Sequence, residues 1–480
     1  MGNRPVLIGL GTIQQKGNYN QLDEALILMD KAFKKAIVDC TNNDITKYIN
    51  EVRVPKGFWR YRDPGKWVAE NNKIKSVKTT VTKVGILQQN LINTACDKIQ
   101  NGEIKASLIL GGESRFKILR SSIENKEYIE TSLNVNPDIY DKSPEKLQLD
   151  IEEKELGSMA VGYYAILESA FRFMLQNNHD DHSNYLSEIY SGYSKIAAIN
   201  KDGWIEQSLD KKVIKTESKK NLRQAFPYNK YHCTSWNVNQ ACAIIICSED
   251  IADKLNIPSD KRVYPLASSE NNHMISTLQR PNLIEPAGMH LAAKFIMDIC
   301  NENNLIPNLY DLYSCFPVAV QMFAKSLKLN DIKDKTVTGA MPFAGGPLNS
   351  YVLHSTAKLI EKLRENNGVG IVTGVSGMMT KQSYALWSKN PCIDFRYEDC
   401  TKKASEIELP VKLSDKKNGS GKIIGYTILI KDNTNKAIIF VDTDDKKRKL
   451  ITSTNKNIIK EMQNTEWVGK RINFRDNQLF

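Results

Sequence analysis

The chain has 480 residues, 41% of them hydrophobic and 25% charged, with a formal net charge of +11. That length supports a large core and more than one domain, and no apolar run approaches the roughly 18–20 residues that span a bilayer, so no membrane span is expected. Nine scattered cysteines read as buried reduced thiols, no CxxC or HxxxH pair marks a metal site, and no nucleic-acid motif accompanies the charge, which is compatible with an anionic partner such as a phosphorylated cofactor. The first residues carry neither a signal-peptide layout nor a myristoylation motif, since Val6 stands where Ser or Thr is needed, and a cytoplasmic location is the expectation.

Residues 6–10 read as a short strand ending in Gly9-Leu10-Gly11. Thr12-Ile13-Gln14 follows, so the third glycine of a dinucleotide fingerprint is missing and a nucleotide site has little support. Residues 22–38 place Leu22, Ala25, Leu26, Met29 and Ala32 on one stripe of an amphipathic helix. An internal repeat follows. Val84-Gly85-Ile86-Leu87 leads through a helix to Asn101-Gly102, the strand 106–110 and Gly111-Gly112. Later, Gly345-Gly346-Pro347-Leu348 leads through a helix to Asn367-Gly368, the strand 370–373 and Gly374. Glycine turn, buried helix, glycine and buried strand, twice over, predict a duplicated α/β domain built of βαβ units with a mostly parallel sheet.

Between the repeats, 122–223 reads as an inserted region, helical over 155–175 and polar at its flanks, where His179 and His182 read as solvated surface. His232-Cys233 lies in a loop-like stretch, and adjacent residues of an extended chain point opposite ways, so no Cys–His pair is expected there. Residues 402–421 turn charged and end in Asn418-Gly419-Ser420-Gly421, a linker. After it, 423–430, 437–441 and 450–454 read as strands, 458–462 as a short helix and 471–474 as a last strand, a small β-rich unit of barrel type.

Thr80-Val81-Thr82-Lys83-Val84, followed by Ile109-Leu110-Gly111-Gly112-Glu113-Ser114, resembles the stretch around the thiolase nucleophile, T-V-N-K-V-C-A-S-G leading to A-G-G-x-E. Tyr313-Ser314-Cys315-Phe316 stands where thiolases have N-E-A-F or, in the sterol-carrier-protein type, H-D-C-F. Gly345-Gly346 opens the block that in thiolases reaches G-H-P, and Gly374-Val375-Ser376-Gly377 stands at their C-x-G loop. These blocks resemble the thiolase superfamily in order over residues 1 to about 400. The likeness is to thiolase-like proteins of the acetyl-CoA acetyltransferase or sterol-carrier-protein type with an additional C-terminal β-rich domain.

The resemblance implies an α/β fold of duplicated halves in an αβαβα layering, sharing two buried central helices, with an inserted loop domain and a C-terminal barrel-like domain. The expected divisions are 1–121 and 224–265 for the N-terminal half, 122–223 for the insertion, 266–401 for the C-terminal half, 402–421 for the linker and 422–480 for an OB-like domain. It also implies coenzyme A or acyl-CoA as substrate or ligand, no permanently bound cofactor, and a second copy or a thiolase relative as partner.

Thiolase chemistry needs an activated thiolate, a base and donors for developing oxyanions. At the four matched positions stand Gly85, Val375, Val352 and Tyr313. None supplies a thiolate or an imidazole. Cys315 and His354 remain as candidate catalytic residues, each with the alternative of ordinary packing. Gly85, Tyr313, Gly345, Gly346, Ser376 and Gly377 are the candidate substrate-binding residues. Two functions follow: an acyl-CoA acyltransferase with altered catalytic residues, or a non-catalytic acyl-CoA or lipid-binding module or partner subunit of an active thiolase.

Overall fold

The structure, a computed structural model, describes residues 2–329, 331–431 and 434–479. Residues 330, 432, 433 and 480, which fall within the divisions above, lie outside the described residues, as does Met1.

Two mixed sheets form the frame. The first is ordered Pro5–Gln14, Asn239–Ser248, Ala106–Ser114, Ile49–Pro55, Lys78–Thr82 and Ile139–Asp141. Every residue of Asn239–Ser248 is buried, and its apolar stretch 241–247 suits a strand covered on both faces. The second is ordered Leu309–Asp311, Val369–Ser376, Lys381–Ser388, Tyr264–Asn271 and Arg396–Asp399.

The repeat helices are Gln89–Gln100 and Tyr351–Asn366. Each contacts strands of both sheets. Leu91, Ile92, Ala95, Cys96 and Ile99 of the first are buried, as are Val352, Leu353, Thr356, Ile360 and Leu363 of the second. The buried amide Asn93 of the first is satisfied in place: it donates to Glu270 at 2.9 Å and accepts from Gln89 at 2.9 Å. A buried amide without such partners costs about 1–3 kcal/mol. Outside the sheets, Ala25–Asp39 covers the first and Ala287–Glu302 the second. The layering is therefore helix, sheet, helix, sheet, helix, as expected.

Three expectations need correction. The second sheet is not mostly parallel: Val369–Ser376 pairs antiparallel with Lys381–Ser388, and that strand antiparallel with Tyr264–Asn271. The short connection 377–380 decides this, because a parallel partner needs a crossover of a dozen or more residues. The helix over 155–175 is broken at Gly157 into Asp150–Leu156 and Val161–Met174. The segment 402–421 is not wholly irregular. The helix Thr401–Ile407 runs into it, and the first barrel strand already starts at Gly419.

The C-terminal strands Gly419–Lys431, Thr434–Thr443, Arg448–Ser453, Gln478–Leu479 and Arg471–Arg475 close into a barrel, with the helix Lys456–Asn464 between the third and fourth strands in sequence. The barrel is fastened to Val161–Met174. Tyr426 N–H donates to Ser169 Oγ at 2.8 Å, and Arg172 donates to Glu466 at 2.9 and 3.0 Å and to the Tyr426 hydroxyl at 3.1 Å. Among the described residues no helix is long and apolar enough to cross a membrane, and no group of three or more His, Cys, Asp or Glu side chains is placed to hold a metal.

Candidate functional site

The starts of the two central helices meet. Gln88, at the N-cap of the first, accepts from Val352 N–H of the second at 2.7 Å, and Asn349 donates to the Thr82 carbonyl at 3.3 Å. Gln88, Leu348 and Asn349 line one cavity of 760 Å³ whose walls are mainly apolar. That size lies within the roughly 300–1,000 Å³ of small-molecule sites. Tyr164, Phe316, Met341 and Val375 line its interior together with Leu147 and Met378, while Phe58, Phe116, Trp204 and Trp236 add a set of aromatic rings. Arg115 lies over the Phe58 and Trp236 rings at 4.9 and 4.8 Å.

Of the residues singled out by sequence, Tyr313, Cys315, Gly346, Ser376 and Gly377 line this cavity. Gly346 is there by necessity, since a Cβ would fall 2.2 Å from Thr234 Cγ2. Gly85, Gly345 and His354 do not line it. Gly85 sits at φ +113°, and a Cβ on it would face Ser143 at 3.1 Å. Its carbonyl accepts from Lys381, which is 3% exposed and also donates to Ser143 Oγ at 2.8 Å. The turn at the nucleophile position is thus packed against residues 143–147.

Cys315 and His354 occupy different places. Cys315 is buried just ahead of the helix Pro317–Ser326, with its carbonyl accepting from Thr234 N–H at 3.2 Å. Burial pushes its thiol up to about 12, against a smaller opposing effect of the Tyr164 hydrogen bond. A thiol so placed is protonated at neutral pH and is no nucleophile. His354 lines a separate, water-sized cavity of 20 Å³ with Gly345, Asp202, Gln240 and Tyr351. Desolvation lowers its imidazole to about 3, and Nε2 has no partner within the protein. The second amide of that helix, Val352 N–H, is already taken by Gln88.

His232 and Cys233 are not brought together as a pair, although His232 ends a short 3-10 helix, Lys230–His232, rather than lying in an extended chain. Cys233 lines the apolar cavity and His232 another. The expectation for His179 and His182 is overturned. They open a 21-residue helix, His179–Ile199, capped by Asn178, which accepts from Asp181 N–H at 2.9 Å. His182 is 1% exposed and bonds Glu168 at 2.7 Å, and His179 bonds the Tyr426 hydroxyl at 2.9 Å. The signal was present: an Asn cap, two acids in the first turn, and Leu186, Ile189, Tyr190, Tyr193 and Ala197 at helical spacing. The sequence also passed over Glu113, which burial pushes up to about 7 although it accepts from Phe58 N–H at 2.8 Å.

No family model matches the sequence, and no curated protein matches it. Solved structures do. A monomeric SCP2-thiolase-like protein type 1 from Mycobacterium smegmatis is 22% identical, with a TM-score of 0.82 over 98% of this chain and 97% of its own. Human mitochondrial 3-ketoacyl-CoA thiolase is 14% identical, with a TM-score of 0.56 over 81% of this chain and 99% of its own. The Acat5 thiolase of Ascaris suum, solved in complex with coenzyme A, is 14% identical, with a TM-score of 0.53 over 81% of this chain and 100% of its own. About a fifth of this chain lies outside each thiolase match, whereas the mycobacterial protein matches nearly all of it. The chain has the thiolase fold, carried together with a C-terminal barrel as in an SCP2-thiolase-like protein.

Proposed function

We propose that this chain binds an acyl-CoA, or an ester of similar build, with its acyl group in the 760 Å³ cavity, and that it does not transfer the acyl group through a cysteine thioester. The observation that carries this is the pairing of a large apolar cavity with a protonated thiol. Cys315 faces the cavity but is held at about 12, and Gly85 offers no side chain. Of the two functions the sequence left open, the binding module is therefore favoured over the transferase. Coenzyme A in the Ascaris thiolase supports the ligand class.

Apolar burial supplies the binding energy. Each buried methylene contributes about 0.8 kcal/mol, so two more carbons on the acyl chain tighten binding about tenfold until the cavity is full. Tyr313, Ser376 and the backbone at Gly346 and Gly377 are the polar and close-approach positions left to orient the thioester.

Incubation with radiolabelled acyl-CoA followed by a denaturing gel tests the chemistry, and calorimetry tests the binding. The expected result is saturable binding that strengthens with chain length and no label on the protein. Covalent label that disappears in Cys315→Ala restores the transferase, and absence of binding by any CoA ester removes both functions.

A further inference from the structure

The formal net charge of +11 is not spread evenly along the chain. Residues 210–230 hold seven lysines and arginines and only two acids, Asp210 and Glu217. Lys215 pairs with Asp180 at 2.7 Å and Arg223 with Glu217 at 3.8 Å. Asp210 caps the short helix Lys211–Lys215, accepting from Lys212 N–H at 2.7 Å. Lys211, Lys212, Lys219, Lys220 and Lys230 are exposed, and none of them has an ion-pair partner among the described residues. Glu188, on which Lys211 acts, is itself bound to Lys333 at 2.9 Å.

The backbone that carries these lysines is fixed. Asn221 is buried, and its amide donates to the carbonyls of Val213 at 3.1 Å, Ile214 at 2.8 Å and Thr216 at 3.0 Å, while its Oδ1 accepts from Tyr231 N–H at 2.9 Å. One side chain thus ties together the helix, the turn 218–221 with Lys219 and Lys220 at its tip, and the chain beside Lys230. Lys230 N–H in turn donates to the Leu222 carbonyl at 2.9 Å, across the small hairpin of Arg223–Ala225 and Tyr228–Asn229. Like charges held on one fixed surface repel one another, and an anionic partner relieves that repulsion.

Apolar side chains are exposed beside the charge. Leu222 and Val213, among the lysines, are 54% and 46% exposed. Gln224 and Lys230 of the same hairpin line the 760 Å³ cavity, whose lining also includes the exposed Phe58, Val84, Leu119 and Met159. An acidic protein surface would meet the charge and leave these apolar groups unmatched. A bilayer with anionic lipids meets both, because lysines reach its headgroups and apolar side chains settle at the boundary between headgroups and acyl chains. We infer that the lysine-bearing hairpin and the cavity mouth together dock on an anionic lipid surface. The docking does not depend on the acyl-CoA reading. Only its purpose, the passage of an acyl ligand between bilayer and cavity, rests on that reading.

Co-sedimentation of the full chain with phosphatidylcholine vesicles containing 30% phosphatidylserine, and with vesicles of phosphatidylcholine alone, tests the surface. Pelleting with the anionic vesicles only is expected, weakened by added salt. Each lysine near such a surface strengthens binding about fivefold. Replacing Lys211, Lys212, Lys219 and Lys220 together by Gln should therefore weaken it at least a hundredfold, and Leu222→Ser about fivefold. A matched variant with Lys417, Lys422, Lys456 and Lys460 of the barrel region replaced by Gln should keep binding, and thermal melting checks that all variants fold. No pelleting with the anionic vesicles, equal pelleting with both compositions, or an equal loss in the barrel variant overturns the assignment. Retention on immobilised poly-L-glutamate without pelleting also overturns it, in favour of an acidic polypeptide. Calorimetry with acyl-CoA in the absence of vesicles reads the cavity separately.

Discussion

Two cavities share the helix Val161–Met174 and differ in their lining: the 760 Å³ one is mainly apolar, and one of 350 Å³ beside the barrel is lined largely by polar and charged side chains. Val161 and Tyr164, near the start of Val161–Met174, face the apolar cavity, and Arg172, two turns further on, faces the polar one. Polar groups around the first are settled among themselves: Gln88 takes the Val352 amide, Lys381 the Gly85 carbonyl, and Thr234 N–H the Cys315 carbonyl. Around the second, charged side chains pair with one another, Arg172 with Glu466 at 2.9 Å and Lys215 with Asp180 at 2.7 Å. The contrast teaches that catalytic capacity is not read from a cavity's size. The larger space has the binding surface, yet no histidine lines it and burial raises the thiols of Cys233 and Cys315.

Between the cavities stands Glu168, and its removal is the strongest way to break the comparison. Glu168→Leu leaves His182, Tyr228 and Gln321 without their common acceptor and should cost about 3–5 kcal/mol in urea unfolding. Burial raises this carboxyl, but the bonds from His182, Tyr228 and Gln321 outweigh it and hold it below the usual glutamate range. Its contribution is therefore complete above that range and declines as pH falls through the depressed folded value. The acid limb of the stability profile should shrink in the variant, and an unchanged limb would contradict the assignment.

Gly85→Cys asks whether a nucleophile can simply be put back. At φ +113° with Ser143 3.1 Å away, the side chain is strained, and a loss of about 1–3 kcal/mol is expected with no acyl-enzyme on incubation with acyl-CoA. Label on that cysteine would show the turn to be open to substrate. Ala160→Trp fills the apolar cavity from its half-buried rim and should weaken acyl-CoA binding at least tenfold, about 1.4 kcal/mol, while the thermal melt is kept. The smallest effect is expected of Cys315→Ala, which should leave acyl-CoA affinity within about twofold. Iodoacetamide should alkylate the native Cys315 only slowly at neutral pH, because the thiol lies near 12. Rapid alkylation would return it to the list of nucleophiles.

The duplicated pattern of glycine turn, helix and strand was legible because it is local. Leu91, Ile92, Ala95 and Ile99 repeat at helical spacing whatever surrounds them. Four of the five barrel strands were legible for the same reason, with boundaries off by a few residues, whereas the two-residue strand Gln478–Leu479 was not. The insertion was not. His182 among Asn and Asp looks like surface until the helix it starts is laid against Glu168, 14 residues earlier in the chain. The direction of the second sheet was likewise hidden in a turn too short for a crossover.

By itself the sequence determined a duplicated α/β pattern and the absence of a cysteine at the start of the first repeat helix, since both are written in residue type and period, while the layering came from the family resemblance. Only the tertiary structure decided that Cys315 and His354 lie in separate cavities, that Gly85 is packed against residues 143–147, and that a polar space opens beside the barrel. Those facts depend on which distant side chains share a low-dielectric interior. Burial there fixes protonation and pairing, and no spacing along one chain encodes which groups will meet.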